Sequence, residues 1–522
     1  MTAVAELVVT DQARQPSARA ARWRSPVRYP ILVALGGAVA FVLADPQVGD
    51  LWAARARQSA AGHGVGLTYW FSWFGGGAVP GTYSVLTPYL SSLIGATLLG
   101  ALATVATTPL CWRLVRDTSH PLAATWAATI AAGFDLWSGR IPFSLGTALS
   151  VAALIAVRDR RVLVAAAWTV LAVLASPVSG AFLLLGLVGV TIHVQSHRLV
   201  SATTMLTSGL SLLVVLFIFG SPGPEGFTGR QAVVTALALS LFLLARPPKF
   251  LTSVIAISIV ACPLLVAVPN GMGSNFQRLV WICLPVAVIA TSRRRVPVTV
   301  LACVLALFAG VMGTIQDLTV ASQPMSSTSY YTALTHELDT LHDLTSYRLE
   351  AVPDGTHTAS FALLDHAMLA RGYETQADNA LNAVLLSQNT LDAVSYKIWL
   401  DNNAVGFVAI GKAVLHPNPE FALVSTANLP YLKRVWNDAN WTLYRVTDPT
   451  PIVPAPARIV DAYQSYLVID IPQPGTLPVR VRWSRFLVAD PQAGGPAVKV
   501  ADDGNGWTLI TTAQPGRYVL HG

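Results

Sequence analysis

The sequence predicts a membrane α-helical bundle of about eleven transmembrane helices, N-terminus in and C-terminus out, followed by an extracytoplasmic α/β plus β-sandwich-like domain. Three observations carry that reading. Only 12% of the 522 residues are charged while 53% are hydrophobic, against roughly a quarter charged in ordinary soluble domains. Apolar stretches recur from residue 30 to residue 314 and then stop. Basic residues fall in short bursts between them: residues 1–314 hold 21 Lys/Arg against 8 Asp/Glu, and residues 315–522 hold 13 against 19. Bursts of that kind set membrane topology, so the net charge of +7 does not signal a nucleic-acid partner.

The elements follow in order. Residues 1–29, with Arg14, Arg19, Arg22, Arg24 and Arg28, read as a disordered cytoplasmic arm, too long and polar for a cleavable signal. The apolar stretches 30–46, 87–111, 119–135, 141–157, 162–177, 180–196, 201–220, 231–246, 250–268, 277–292 and 296–314 are the candidate spans. With the N-terminus inside, Arg113, Arg116, Arg158, Arg160, Arg161, Arg198, Arg246, Lys249 and Arg293–Arg295 join the arm on the inner side. Only Arg55, Arg57, Arg140, Arg230 and Arg278 face out, as the positive-inside rule requires. An odd number of spans puts residues 315–522 outside. That region loses the apolar periodicity: 315–448 reads as a small α/β domain with strand-like runs at 406–410 and 421–425, and 457–522 as a small β-rich domain after the Pro-rich stretch 449–456. The four cysteines, Cys111, Cys262, Cys283 and Cys303, all lie in or beside apolar stretches and read as small packing residues rather than a metal or redox centre.

Ionisable residues near a bilayer are costly and therefore mark candidate sites. The long outer first loop, 45–86, is the richest segment. It carries Asp45 and Asp50, a helix-forming stretch at 50–61 with Asp50 and Arg57 on one face, the aromatic run Tyr69-Trp70-Phe71-Ser72-Trp73, and the triple glycine Gly75–Gly77. The helix is expected to lie on the membrane surface with Trp52 at the interface. The aromatics fit an interface belt or a sugar-stacking platform. The second outer loop brings Asp135 and Arg140 together at the bilayer edge, as a site or as a local ion pair. Arg278 stands at the mouth of the tenth span, as a ligand-binding cation or a snorkelling anchor. The glycines lack the strand before and the Lys-Ser/Thr after that a phosphate-binding P-loop needs. HExxH is absent, and no GxSxG stands in a strand–turn–helix context.

An acid directly after the first span, a long outer first loop with surface helices, and about eleven spans with a C-terminal outer domain together resemble the GT-C superfamily of integral-membrane glycosyltransferases. Gly372-Tyr-Glu-Thr-Gln-Ala-Asp-Asn379, Trp399-Leu-Asp-Asn-Asn403 and Trp441-Thr-Leu-Tyr-Arg445 also resemble actinobacterial multi-span proteins. The resemblance implies a plasma-membrane enzyme of cell-wall biogenesis, taking sugar from a polyprenyl-phosphate-linked donor to a cell-envelope glycan or lipid acceptor on the outer face. It makes Asp50 the first candidate base and Asp45 the second, because an acceptor hydroxyl needs a carboxylate to take its proton. Arg57, Arg140 and Arg278 become candidate ligands for the donor phosphate, and Tyr69, Trp70, Trp73 and Asp135 substrate contacts. No cofactor follows beyond a divalent cation that two nearby acids could help to hold, and two ligands alone do not make a metal site. A lipid or glycan transporter, which would place charge near span midpoints, and a non-enzymatic envelope-assembly protein are the alternatives.

Overall fold

The computed structural model describes residues 26–292, 296–495 and 497–522. Most of the expected N-terminal arm, and the Arg293–Arg295 burst, lie outside the described residues. The chain divides into two compact units, Met1–Pro46 with Tyr83–Leu318, and Gln47–Thr82 with Thr319–Gly522.

The first unit is helical. Among the described residues, a helix lies over each of the eleven apolar stretches, and six helices are long and apolar enough to cross a membrane by length and composition: Ala96–Val115, Ile141–Arg158, Gln195–Phe219, Lys249–Ala267, Gly273–Thr291 and Val296–Ala321. Val162–Ala175, Pro177–His193 and Gly229–Leu244 are shorter apolar helices. The 14 residues of Val162–Ala175 rise about 21 Å, short of a bilayer core of about 30 Å. Local chemistry sets the ends. Ser176 caps the helix that begins with Pro177, and Thr228 with Gln231 forms a capping box.

Two expected spans are interrupted. The stretch 87–111 divides at Gly95, whose φ of +88° separates Thr87–Ile94 from Ala96–Val115. The stretch 277–292 contains a π-helical turn, Leu279–Cys283, before Leu284–Thr291. Small residues let neighbouring helices approach closely: a Cβ on Gly189 would lie 2.4 Å from the Phe250 carbonyl oxygen, and one on Gly180 2.5 Å from Val173. Leu239, Ile255 and Val288 are fully buried, whereas Leu213, Phe217 and Leu237 are largely exposed, as expected of helices whose outer faces meet lipid.

Among the described residues, the second unit contains three sheets. Strands β1 (Arg348–Ala351), β2 (Val405–Gly411), β3 (Leu432–Asn437) and β4 (Trp441–Val446) form one sheet of order β1-β2-β4-β3, with β1 parallel to β2 and the other pairs antiparallel. All seven residues of β2 are buried, which explains its unbroken apolar sequence. The expected strand at 421–425 is instead the helix Pro419–Thr426: the Asn418 side chain accepts from the Phe421 amide and Pro419 starts the first turn. Strands β5 (Arg458–Ala462), β6 (Tyr466–Ile471), β7 (Gly475–Arg482), β8 (Val488–Pro491), β9 (Lys499–Asp502), β10 (Trp507–Thr512) and β11 (Gly516–His521) form two further sheets, β5-β6-β11-β8 and β7-β10-β9. Leu467, Ile469, Val479, Val481, Ile510 and Leu520 supply their shared core.

Residues 47–82 group with this C-terminal unit rather than with the helices. The expected helix is present as Gly49–Gly62, but it is not a surface helix. Leu51, Trp52, Ala53, Ala54, Ala56 and Ala60 are all buried. Trp52 stacks on Phe361 at 4.9 Å and donates its indole N–H to the Ser326 carbonyl at 3.1 Å.

Candidate active site

The two candidate bases fall on different units. Asp45 ends the helix Arg28–Ala44 in a left-handed conformation (φ 43°), its amide donating to the Phe41 carbonyl; Asp is one of the residues that tolerates this region. Asp50 stands in the first turn of Gly49–Gly62. It is half-buried and accepts a hydrogen bond from the Tyr373 hydroxyl at 3.0 Å. The Tyr373 ring stacks on His357 with centroids 3.8 Å apart. The carboxylate is thus held on a helix by a second side chain.

Arg57 is placed differently from the expected phosphate ligand. Its Nη2 donates to Glu374 Oε2 at 2.8 Å, and the two side chains are only 4% and 3% exposed. Burial pushes the Glu374 carboxyl up from its ordinary range and Arg57 draws it back. A buried pair of this kind is costly to break, so Arg57 anchors the helix. The aromatic run is likewise neither a belt nor an open stacking platform. Tyr69, Trp70 and Trp73 are at most 2% exposed. Trp70 packs on Trp73 at 4.2 Å and donates to Gln464 Oε1. Trp73 donates to the Ser360 carbonyl and lies under the Arg57 guanidinium. The Tyr69 hydroxyl donates to the Arg482 carbonyl at 2.6 Å, and burial raises its phenol far above the usual value.

The segment Gly372–Asn379 receives this loop. Tyr373 holds Asp50, Glu374 holds Arg57, and Gly372 is so close to the Trp73 ring that an added Cβ would lie 2.4 Å away. Asp378 makes a two-pronged bond to Arg371, at 2.9 Å from Nε and 2.5 Å from Nη2. Arg371 also donates to Glu420 at 2.7 Å and stands 3.6 Å from Glu350. Glu420 in turn accepts from the Tyr396 hydroxyl. Three carboxyls therefore surround one guanidinium. Burial, reinforced by Glu420, holds the fully buried Glu350 well above the carboxylate range. Sequence reasoning missed Tyr373, Glu374, Arg371 and Glu350, of which only Tyr373 and Glu374 lie in the segment Gly372–Asn379.

The remaining candidates, Asp135, Arg140 and Arg278, lie in the helical unit. Asp135, 2% exposed, accepts from the Ser144 hydroxyl at 2.7 Å. Arg140 donates to Asp317 at 3.4 Å. The Arg278 guanidinium sits 5.1 Å from the centre of the Phe143 ring. Phe143 lines a cavity of about 260 Å³ whose walls include Cys111, Phe182, Leu279 and Cys283 and extend to Arg158. From Phe143 to Arg158 the helix Ile141–Arg158 rises about 22 Å, so the walls follow nearly the length of one span. The π-helical turn Leu279–Cys283 contributes three of these side chains, Leu279, Ile282 and Cys283. Among the described residues, no group of three or more His, Cys, Asp or Glu side chains is placed to hold a metal ion.

No family model matches the sequence, and no curated protein matches it. Among solved structures, the chain is similar to the arabinofuranosyltransferase AftD from Mycobacteria at a TM-score of 0.48 and 13% identity, covering 97% of this chain and 57% of that one. A mutant form of the same enzyme is similar at a TM-score of 0.45 and 13% identity, covering 98% of this chain and 60% of that one. The chain thus spans about three-fifths of the length of these proteins.

Proposed function

We propose that this protein is an integral-membrane glycosyltransferase of the GT-C type, moving a sugar from a polyprenyl-phosphate donor to a cell-envelope glycan or lipid acceptor on the outer face. Its helices run N-in through about eleven spans in the plasma membrane, and residues 315–522 stand outside. One observation carries the reading: Asp50, a half-buried carboxylate in the first turn of a helix, is fixed by the Tyr373 hydroxyl at 3.0 Å. A rigid carboxylate accepts the proton of an acceptor hydroxyl as that oxygen attacks the sugar, while the lipid phosphate leaves with the bonding electrons. Asp45 is the second candidate base. Arg140 and Arg278 remain the candidate cations for the departing phosphate, and Asp135, held by Ser144, a candidate substrate contact. The long apolar cavity suits a lipid tail, and it would equally serve a lipid transporter.

The test is transfer of labelled sugar from polyprenyl-phosphate donors by purified wild type and Asp50→Asn in nanodiscs. Turnover by wild type, lost at least a hundredfold in a folded Asp50→Asn that still binds donor, supports the reading. Undiminished turnover in Asp50→Asn removes Asp50 from the chemistry. Donor binding and translocation without transfer favours the transporter.

A further inference from the structure

A second concentration of charge lies in the C-terminal unit and differs in kind from the Arg371 network. Arg348 on β1 and Arg480 and Arg482 on β7 converge on the end of the helix Ala393–Asn402. Arg348 donates from Nη1 to the Asn403 carbonyl at 2.9 Å, Arg480 from Nη1 to the Asn402 carbonyl at 3.2 Å, and Arg482 from Nη2 to Asn403 Oδ1 at 3.3 Å. Arg348 also donates from Nη2 to the Arg480 carbonyl. Arg480 and Arg482 are two apart on β7 and so share one face, while Val479 and Val481 fill the core on the other.

Among the described residues, none of the three forms an ion pair with a carboxylate, and each keeps only neutral partners. Arg348 is 1% exposed, and the Nε atoms of Arg348 and Arg482 are buried without a hydrogen-bond acceptor. Burial holds the Arg348 guanidinium down at about 10, and Arg482 and Arg480 add their repulsion. Arg482 also lies over the Trp507 ring at 3.9 Å, and Arg480 and Arg482 are partly exposed. The fully buried Arg348 is therefore the guanidinium whose only compensation among the described residues is the helix C-terminus, with about half a negative charge. A buried guanidinium without a counter-charge is strongly unfavourable, so the arrangement is short of an anion. It opens at Arg480, whose bond to Asn402 is exposed. The Gly75 backbone closes the opposite side: at φ +60° it lies so near that a Cβ would meet Arg348 Cζ at 3.0 Å.

We propose that Arg348, Arg480 and Arg482 form a binding site for a phosphate-class oxyanion, entered past Arg480. Planar guanidinium forks match the oxygens of a phosphate, and three of them outbid a single lysine in both charge and geometry. The site involves neither Asp50 nor the helical cavity, and it stands whether or not the protein transfers sugar.

Calorimetric titration of the purified full chain with inorganic phosphate, in lipid-free detergent micelles and against chloride at matched ionic strength, tests it. Wild type is expected to bind phosphate saturably. Arg480→Gln and Arg482→Gln, with thermal melting to show they are folded, should each weaken binding about tenfold, the worth of one charge-assisted hydrogen bond. Arg480→Lys should fall between, and Arg458→Gln, at an exposed pair with Asp470, should leave binding unchanged. Displacement of phosphate by phosphatidylglycerol added to the micelles assigns the anion to a lipid headgroup; its retention assigns a soluble phosphate ester. No saturable phosphate or phosphatidylglycerol binding by wild type, or equal binding by both glutamine variants, overturns the proposal.

Discussion

The two units bury polar groups in opposite ways. In the helical unit, many buried hydroxyls turn back on their own helix, as Thr129 to the Thr125 carbonyl, Thr169 to Ala165, Thr204 to Val200 and Ser258 to Val254, while others, such as Ser208 to Gly180 and Ser144 to Asp135, tie one helix to the next. Most of its charge stays at helix ends, as in Arg113 with Asp159. In the C-terminal unit, buried charges meet across hundreds of residues. Arg57 and Glu374 are 317 apart and Asp50 and Tyr373 are 323 apart. A helix in lipid can satisfy a hydroxyl on its own backbone, where no water is at hand. A domain with a mixed core uses long-range pairs to fix which segments meet.

That contrast can be broken by substitution, and the largest effect should come at Arg57. Arg57→Ala leaves Glu374 buried and unpaired and should cost about 3–5 kcal/mol, read as loss of the C-terminal unit's melting transition with the helical unit's ellipticity intact. Gly372→Ala comes next. Its Cβ would press on three atoms of the Trp73 ring at 2.4–2.9 Å, costing about 1–3 kcal/mol of overpacking; limited proteolysis within residues 47–82 should quicken accordingly.

A smaller effect sharpens the comparison through pH. Glu350 holds its proton in the folded unit at pH values where the unfolded chain, with an ordinary value of 4.5, has lost it. The folded state then binds more protons than the unfolded one, so this residue's contribution is intact below about 4.5 and declines as pH rises above it. Each unit of separation is worth about 1.4 kcal/mol. The C-terminal unit should therefore melt higher at pH 5 than at pH 7.5, and Glu350→Gln should flatten that slope and raise the melting temperature at pH 7.5. An unchanged slope would mean that Arg371 keeps Glu350 ionised. The smallest structural effect belongs to Asp50→Asn. The amide oxygen can still accept from Tyr373, so melting should shift by less than about 1 kcal/mol, while transfer, if Asp50 is the base, disappears.

How far the sequence could be read follows the same division. Apolar runs are local, so a helix lies over every stretch from 30–46 to 296–314. What length alone missed was the interruption at Gly95 and the π-helical turn before Pro285, where one residue's backbone decides. At 421–425 the apolar run suggested a strand, but the Asn-Pro cap just before it was the stronger, overlooked signal. The first loop stands out in the sequence by its length and aromatic content, but its destination does not. Asp50, Arg57, Tyr69, Trp70 and Trp73 have interior partners that lie hundreds of residues ahead, and no spacing rule reaches that far. One hint was present: the helix carries alanine at 53, 54, 56, 60 and 61. That is too many small residues for a face on lipid headgroups, and it suits a helix packed on several sides.

The central claim is that residues 47–82 fold as one cooperative piece with the C-terminal residues, and hydrogen exchange tests it most directly. Amide exchange would be followed by mass spectrometry in the full chain and in Arg57→Ala. The account predicts that peptides from 49–62, 69–77 and 369–382 speed up together by a common factor, while peptides from 141–158 are unchanged. Faster exchange in 49–62 alone, with 369–382 still protected, would show that the loop is an independent element and would contradict it.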